Sequence, residues 1–109
     1  MSEKKFFLSK DSLKTLIKPM GACLASDKIT VEGLPVKYMY REVPQFEADS
    51  GWRFFSGTET QEYVDNPGNS MFYDVNTIVN YDLSIIPYLE MPIGVELERG
   101  VNNVFVVII

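Results

Sequence analysis

The chain has 109 residues, close to the usual length of one domain, and 46% hydrophobic against 23% charged residues is the balance of a folded globular protein. No apolar run approaches the roughly 20 residues that cross a bilayer. The short patch Phe6-Phe7-Leu8 is cut off by Ser9-Lys10-Asp11 too early for a signal peptide, so a cytoplasmic protein is expected.

The net charge of −5 is unevenly spread, with six lysines against three carboxylates leaving residues 1–28 at +3 and four cations against twelve carboxylates leaving the remainder at −8. In the basic segment, Leu13, Leu16 and Ile17 recur at spacings of three and four opposite Asp11, Lys14 and Lys18. That pattern predicts a short helix over residues 9–18, capped by Ser9 or Asp11 and ended by Pro19 and Gly21. Its lysine stripe is a solvated face. Residues 22–25 and 29–31 are short strand candidates on either side of Ser26-Asp27-Lys28, which has turn composition. In residues 36–41, bounded by Pro35 and Pro44, Val36, Tyr38 and Tyr40 share one strand face and Lys37 and Arg41 the other.

Gly51-Trp52-Arg53-Phe54-Phe55-Ser56-Gly57 reads as an aromatic strand central to a sheet. Thr58 is placed to cap a short helix through Val64, with Glu59 and Glu62 in its early turns, where the helix dipole favours negative charge. Asn66-Pro67-Gly68-Asn69 makes a turn, residues 72–75 form another strand candidate, and Asn76 or Thr77 begins a helical turn through Asn80. Residues 81–92, with two prolines, read as an ordered loop carrying a helical turn near 84–88. Residues 95–98 alternate and pair with strand 104–109 across a turn at 100–103. This last strand is uncharged on both faces, which predicts a place inside the sheet under the N-terminal helix or a loop, or burial in a homodimer.

Strands outnumber helices and the loops are too short for repeated βαβ crossovers. The expected class is therefore α+β, a single domain with a mainly antiparallel sheet and a few short helices. Residues 1–21 are expected as an N-terminal helical segment packed on a domain of residues 22–109.

The chain has no histidine, which removes the commonest general base, the hydrolase triad and every His-based metal site. Cys23, the single cysteine, allows no internal disulfide, thiolate cluster or Cys-His dyad, fits a reducing compartment, and between Ala22 and Leu24 reads as a small buried hydrophobe. Without a Walker-type or dinucleotide glycine pattern, no cofactor is expected, and no catalytic or metal residue is assigned. Glu96 with Glu98 on one strand face, and Glu59 with Glu62 one helical turn apart, have the geometry for a hard cation, against the plainer role of solubilising surface. Trp52, Phe54, Phe55, Phe72 and Tyr73 lack the basic surround that base stacking needs and read as core. Arg53 and Arg99 pair with nearby carboxylates, or one of them anchors a partner. The acidic body repels nucleic acid and anionic membranes and suits a basic protein.

Three strings, Tyr38-Met39-Tyr40-Arg41-Glu42, Asp49-Ser50-Gly51-Trp52-Arg53-Phe54-Phe55-Ser56-Gly57 and Tyr73-Asp74-Val75-Asn76-Thr77-Ile78-Val79-Asn80-Tyr81-Asp82, together resemble the bacterial immunity protein 33-like family. Ile85-Ile86-Pro87-Tyr88-Leu89, Pro92-Ile93-Gly94 and Glu98-Arg99 continue the resemblance in order, over about residues 22–108. Leu83 departs from it where proline is expected, and the turn 100–103 is less acidic than the family's.

The resemblance implies a small cytosolic protein that binds and neutralises a cognate protein toxin, with no catalytic residue to carry over. Expected partner contacts are exposed acids and aromatics: Glu59, Glu62, Asp65, Asp74, Asp82, Glu96 and Glu98, with Trp52 or Tyr63 as anchors if exposed. The second reading is a regulatory or small-ligand-binding module, with Trp52, Arg53, Tyr73 and Asn76 lining a pocket between sheet and loops. An enzyme comes third.

Overall fold

Short alternating segments separated by proline and glycine fold into one six-stranded sheet in a computed structural model that describes residues 4–108. The strands are β1 (Ala22–Ser26), β2 (Tyr38–Arg41), β3 (Asp49–Phe55), β4 (Ser70–Asp74), β5 (Glu96–Arg99) and β6 (Phe105–Val107), in the order β4-β1-β3-β2-β5-β6. Only β1 and β3 run parallel; every other neighbouring pair is antiparallel. Three short helices, α1 (Asp27–Thr30), α2 (Gln61–Asp65) and α3 (Val75–Tyr81), and a 3₁₀ segment Leu83–Tyr88 complete the α+β architecture expected from the sequence.

One face of the sheet carries the core. Cys23, Ala25, Met39, Trp52, Phe54 and Leu97 from the strands pack with Ile29 of α1, Val75, Ile78 and Val79 of α3, and Ile85 and Leu89. The aromatic strand is central as expected, β3 lying between β1 and β2. The indole of Trp52 stacks on Phe54 with centroids 5.9 Å apart, and its Nε1–H donates to the Leu89 carbonyl at 2.9 Å. Burying the ring thus leaves its one polar atom satisfied.

A bulge in β3 shapes the rest of the sheet. Ala22 pairs with Asp49 and Leu24 with Arg53, so β3 spends four residues where β1 spends two. Gly51 sits in the bulge at φ +91°, and a Cβ there would strike the Glu42 carbonyl. Residues four apart on a regular strand lie about 13 Å from each other. The bulge instead brings the Arg53 guanidinium onto Asp49 as a two-pronged pair, at 3.0 and 2.7 Å, with Glu42 at 2.6 Å on Nε.

Several expectations change. Residues 9–18 are not helical: only Lys10–Ser12 make a 3₁₀ turn, and Leu13 is extended at ψ 136°. Their backbone is held by side chains of α3 instead, since Asn76 and Asn80 both donate to the Lys14 carbonyl and accept from the amides of Leu16 and Lys14. Residues 29–31 are not a strand, because Ser26 caps the Lys28 amide and starts α1 at the expected turn. In β2 the core takes Met39, while Tyr38 and Tyr40 face the other way and Val36 precedes the strand. A methionine has no polar atom to satisfy, whereas two buried tyrosines would need two partners. Thr60, not Thr58, caps α2, because the Thr58 hydroxyl is engaged with Ser56 at 2.7 Å.

The last strand is not interior. β6 forms the sheet edge and pairs only with β5, with Phe105 buried while Val104, Val106, Val107 and Ile108 stay 41–52% exposed. One aromatic, seated on Tyr88 at 5.1 Å, is enough to hold so short a strand. Ile109 of that expected strand, and residues 1–3 of the N-terminal segment, lie outside the described residues.

Candidate functional site

On the second face of the sheet, β2, β3 and β5 build a cleft of about 490 Å³ bordered by α2. Tyr38 and Tyr40 of β2 and Phe55 of β3 form its floor, with Val64 of α2 and Gly57 at one side and Glu59, Glu96 and Glu98 around it. Register explains the grouping: Tyr38 lies opposite Phe55 and Glu98, and Tyr40 lies opposite Glu96. The three rings sit 5.7 to 6.2 Å apart, and Tyr40 is nearly parallel to Phe55 at 9°. Tyr38 is tilted by 43° to Tyr40 and 35° to Phe55, so the lining offers π surface at more than one angle.

The polar groups are arranged around those rings. The Tyr38 hydroxyl donates to Glu96 Oε1 at 3.1 Å. Partial burial first, and the neighbouring Glu96 carboxylate second, push the Tyr38 phenol up to about 12, so it stays protonated at neutral pH. Glu59 is fixed by the turn before α2, accepting from the Ser56 amide and hydroxyl at 2.9 Å and from the Gly57 amide at 3.0 Å. Burial pulls its carboxyl upward, but those hydrogen bonds outweigh it and leave the group below its ordinary value. Three carboxylates therefore face the cleft, and no lysine or arginine lines it. A smaller pocket of about 110 Å³ adjoins it, sharing Tyr40, Phe55 and Val64 and adding Leu24, Tyr63 and Ser70.

Of the residues expected at a site, Glu59, Glu96 and Glu98 meet in the cleft and Tyr63 lines the adjoining pocket. Glu62 and Asp65 lie exposed on α2, where Asp65 accepts from Gln61 at 2.8 Å. Glu59 precedes α2, so Glu59 and Glu62 do not form the helical pair expected of them. Asp74 caps α3, and Asn76 braces the N-terminal segment. Asp82 caps the 3₁₀ segment, accepts the Val36 amide at 2.9 Å and pairs with Arg99 at 3.0 Å.

Trp52 and Arg53 present no surface to a partner, being 0% and 1% exposed. Trp52 is core, and the charge of Arg53 is spent on Asp49 and Glu42. The hydrogen bonds from Arg53, opposed by burial and helped by the amides of Gln45 and Gly51, hold the Asp49 carboxyl far below the usual carboxylate range. Nor do Trp52, Arg53, Tyr73 and Asn76 meet in one pocket; the cleft is elsewhere and uses Tyr38, Tyr40 and Phe55. Their sequence signal was the alternation Tyr-x-Tyr in β2 against Glu-x-Glu in β5, which marks two outward faces without showing that they pair.

Among the described residues no three of Cys, Asp and Glu group closely enough to hold a metal ion, and no helix is long and apolar enough to cross a membrane. Burial raises the Cys23 thiol well above its ordinary value and leaves it an unreactive part of the core. Comparison with curated proteins and with solved structures yields no match. The family model described as Immunity protein Imm33 domain matches residues 23–108, nearly the whole chain, and the protein belongs to that family.

Proposed function

We propose that the protein acts as an immunity protein, binding a cognate protein toxin in the cytoplasm and blocking it by occlusion rather than by catalysis. The observation that carries this reading is the second sheet face, where aromatic rings and three unneutralised carboxylates stand together. Family membership supplies the class of partner. A folded protein rarely leaves aromatic surface open beside charge without a use for it, and interfaces are enriched in tyrosine. The toxin surface that fits such a face is basic, because the partner's cations gain the attraction that Glu59, Glu96 and Glu98 withhold from one another. Asp65 and Glu62 on α2 extend the same sign of charge beyond the cleft.

The test is co-expression of this chain with each toxin gene that neighbours it in its native genome. Rescue of growth, together with a stable complex on gel filtration, is the expected result. Rescue should vanish when Glu96 and Glu98 are both changed to lysine while the thermal unfolding of the isolated protein is retained. If no neighbouring toxin is neutralised and none forms a complex, the immunity reading is wrong.

A second reading, a small-ligand-binding module, rests on the volume of the cleft, which falls within the usual range of small-molecule sites. A small metabolite that saturates the cleft and raises the melting temperature, with no toxin complex formed, would favour it.

A further inference from the structure

We propose that the cleft is an acceptor for one arginine side chain of the protein partner, held against the rings of Tyr38, Tyr40 and Phe55 with its guanidinium between the Glu96–Glu98 pair and Glu59. The inference rests on the immunity reading for the source of that arginine, but its chemistry stands on the cleft alone.

The floor is three rings within 6.2 Å of one another, two of them inclined by only 9°. A π surface attracts a planar cation more than a neutral group, through the ring quadrupole. The rim supplies acceptors on both sides: Glu96 and Glu98 project from one strand face, and Glu59 enters from the turn before α2. Among the described residues the Glu98 carboxylate accepts no hydrogen bond and that of Glu96 only the Tyr38 hydroxyl, so carboxylate oxygens remain open for several donors.

Among the described residues no lysine or arginine forms an ion pair with Glu59, Glu96 or Glu98. Arg53, the cation nearest in register, lies opposite Tyr40 but is buried against Asp49 and Glu42. Arg99 is turned to the helix-covered side, paired with Asp82 and lying 4.6 Å over the Phe105 ring. In both pairs the guanidinium sits between carboxylate and aromatic ring, Arg53 over Phe72 at 5.6 Å, whereas Arg41 lies over Trp52 and donates to the Ser50 and Met91 carbonyls. The cleft sets aromatic rings and carboxylates side by side in the same way. Lysine fits it less well, since a compact ammonium matches neither the aromatic floor nor acceptors on two sides.

A tripeptide probe, acetyl-Gly-Arg-Gly-amide, tests this by NMR titration of the whole protein against the same peptide with citrulline, which keeps the shape and removes the charge, or with lysine. The expected result is saturable millimolar binding of the arginine peptide, with shifts at Tyr38, Tyr40, Phe55, Glu96 and Glu98. Binding should weaken at least tenfold with citrulline and severalfold with lysine. The Glu96→Gln, Glu98→Gln double variant should lose tenfold or more while its melting temperature is kept, and Tyr40→Leu should weaken binding with both carboxylates in place.

Equal binding of citrulline, shifts located elsewhere, or affinity that survives the double variant would each overturn the assignment, as would lysine binding as well as arginine. The two proposals fail separately. Toxin rescue without arginine binding removes the acceptor and leaves the immunity reading standing. Arginine binding without any rescued toxin leaves the acceptor and removes the immunity reading.

Discussion

The two faces of the sheet are made by alternate residues of the same strands, yet they have opposite fates. Trp52, Phe54, Met39 and Leu97 point under α3 and the 3₁₀ segment, while Arg53, Phe55, Tyr38, Tyr40, Glu96 and Glu98 take the other side. On the covered face the large side chains are apolar or, like Trp52 through Leu89, have a polar atom satisfied, with the buried Nε of Arg99 as an exception. On the open face the buried charges Arg53 and Asp49 neutralise one another, and Glu96 and Glu98 beyond them are unpaired among the described residues. The strings that carry the family resemblance therefore hold two kinds of information in alternate letters. One set builds the scaffold and the other builds the surface on which partners are told apart.

The largest way to break this comparison is through the covered face. Trp52→Ala removes a fully buried ring and orphans the Leu89 carbonyl, and it should destabilise the protein by about 3–5 kcal/mol. Tyr40→Ala, one strand away on the open face, should lose only about 1 kcal/mol. Urea denaturation of the two variants measures the contrast directly. Similar losses would mean that the open face is part of the core.

Next comes the buried ion pair beneath the open face. Arg53→Leu leaves Asp49 without its main partner and should lose about 3 kcal/mol at neutral pH. The pH dependence has a definite sign. The Asp49 carboxyl is depressed in the folded state, so its contribution is fully present above the unfolded value near 3.9 and is lost as pH falls through the lower folded value. The stability gap between the native protein and Asp49→Asn should accordingly be widest near neutrality and shrink below about pH 4. A gap that stays constant in acid would deny the pair its role.

Within β6 the same contrast operates on a smaller scale. Phe105→Ala should lose about 2–3 kcal/mol, at or below the low end for a phenylalanine because only a three-residue edge strand depends on it. Val106→Thr, half-exposed on the other side, should stay within about 0.5 kcal/mol. Thermal melts of both sharpen the conclusion that one residue anchors this strand.

The smallest effect is a titration. Glu96→Gln removes the charge beside Tyr38 and should move the phenol from about 12 part of the way toward its ordinary 10, read from phenolate absorbance. A phenol raised in the folded state contributes stability below pH 10 that fades as pH climbs to its folded value. Glu96→Gln should therefore lose less stability between those two values than the native protein does.

Local pattern reached a good part of this molecule. Period-two alternation located β2 and β5, and short apolar or aromatic runs bounded by turn residues located β1, β3, β4 and the last strand. The prolines and glycines located most of the turns, and the absence of crossover-length loops gave the α+β class. Charge alone picked out Glu59, Glu96 and Glu98. What it did not reach is long-range. The apolar spacing of Leu13, Leu16 and Ile17 is helical, but the side-chain amides of Asn76 and Asn80, some sixty residues away in the chain, hydrogen-bond that segment's backbone and hold it extended. The uncharged β6 looked interior because a strand's sequence carries no record of how many neighbours it will have.

The cleft was hidden for the same reason. Alternation separates Tyr38 and Tyr40 from Met39 but leaves open which of the two faces the helices will cover, and tyrosine suits either. Only strand order and register set β2 between β3 and β5, so that rings and carboxylates from distant segments stand opposite one another. The sequence by itself determined most of the strands, the charge and the family. The tertiary structure decided which alternate residues are buried, because that choice depends on packing between segments that no local stretch contains.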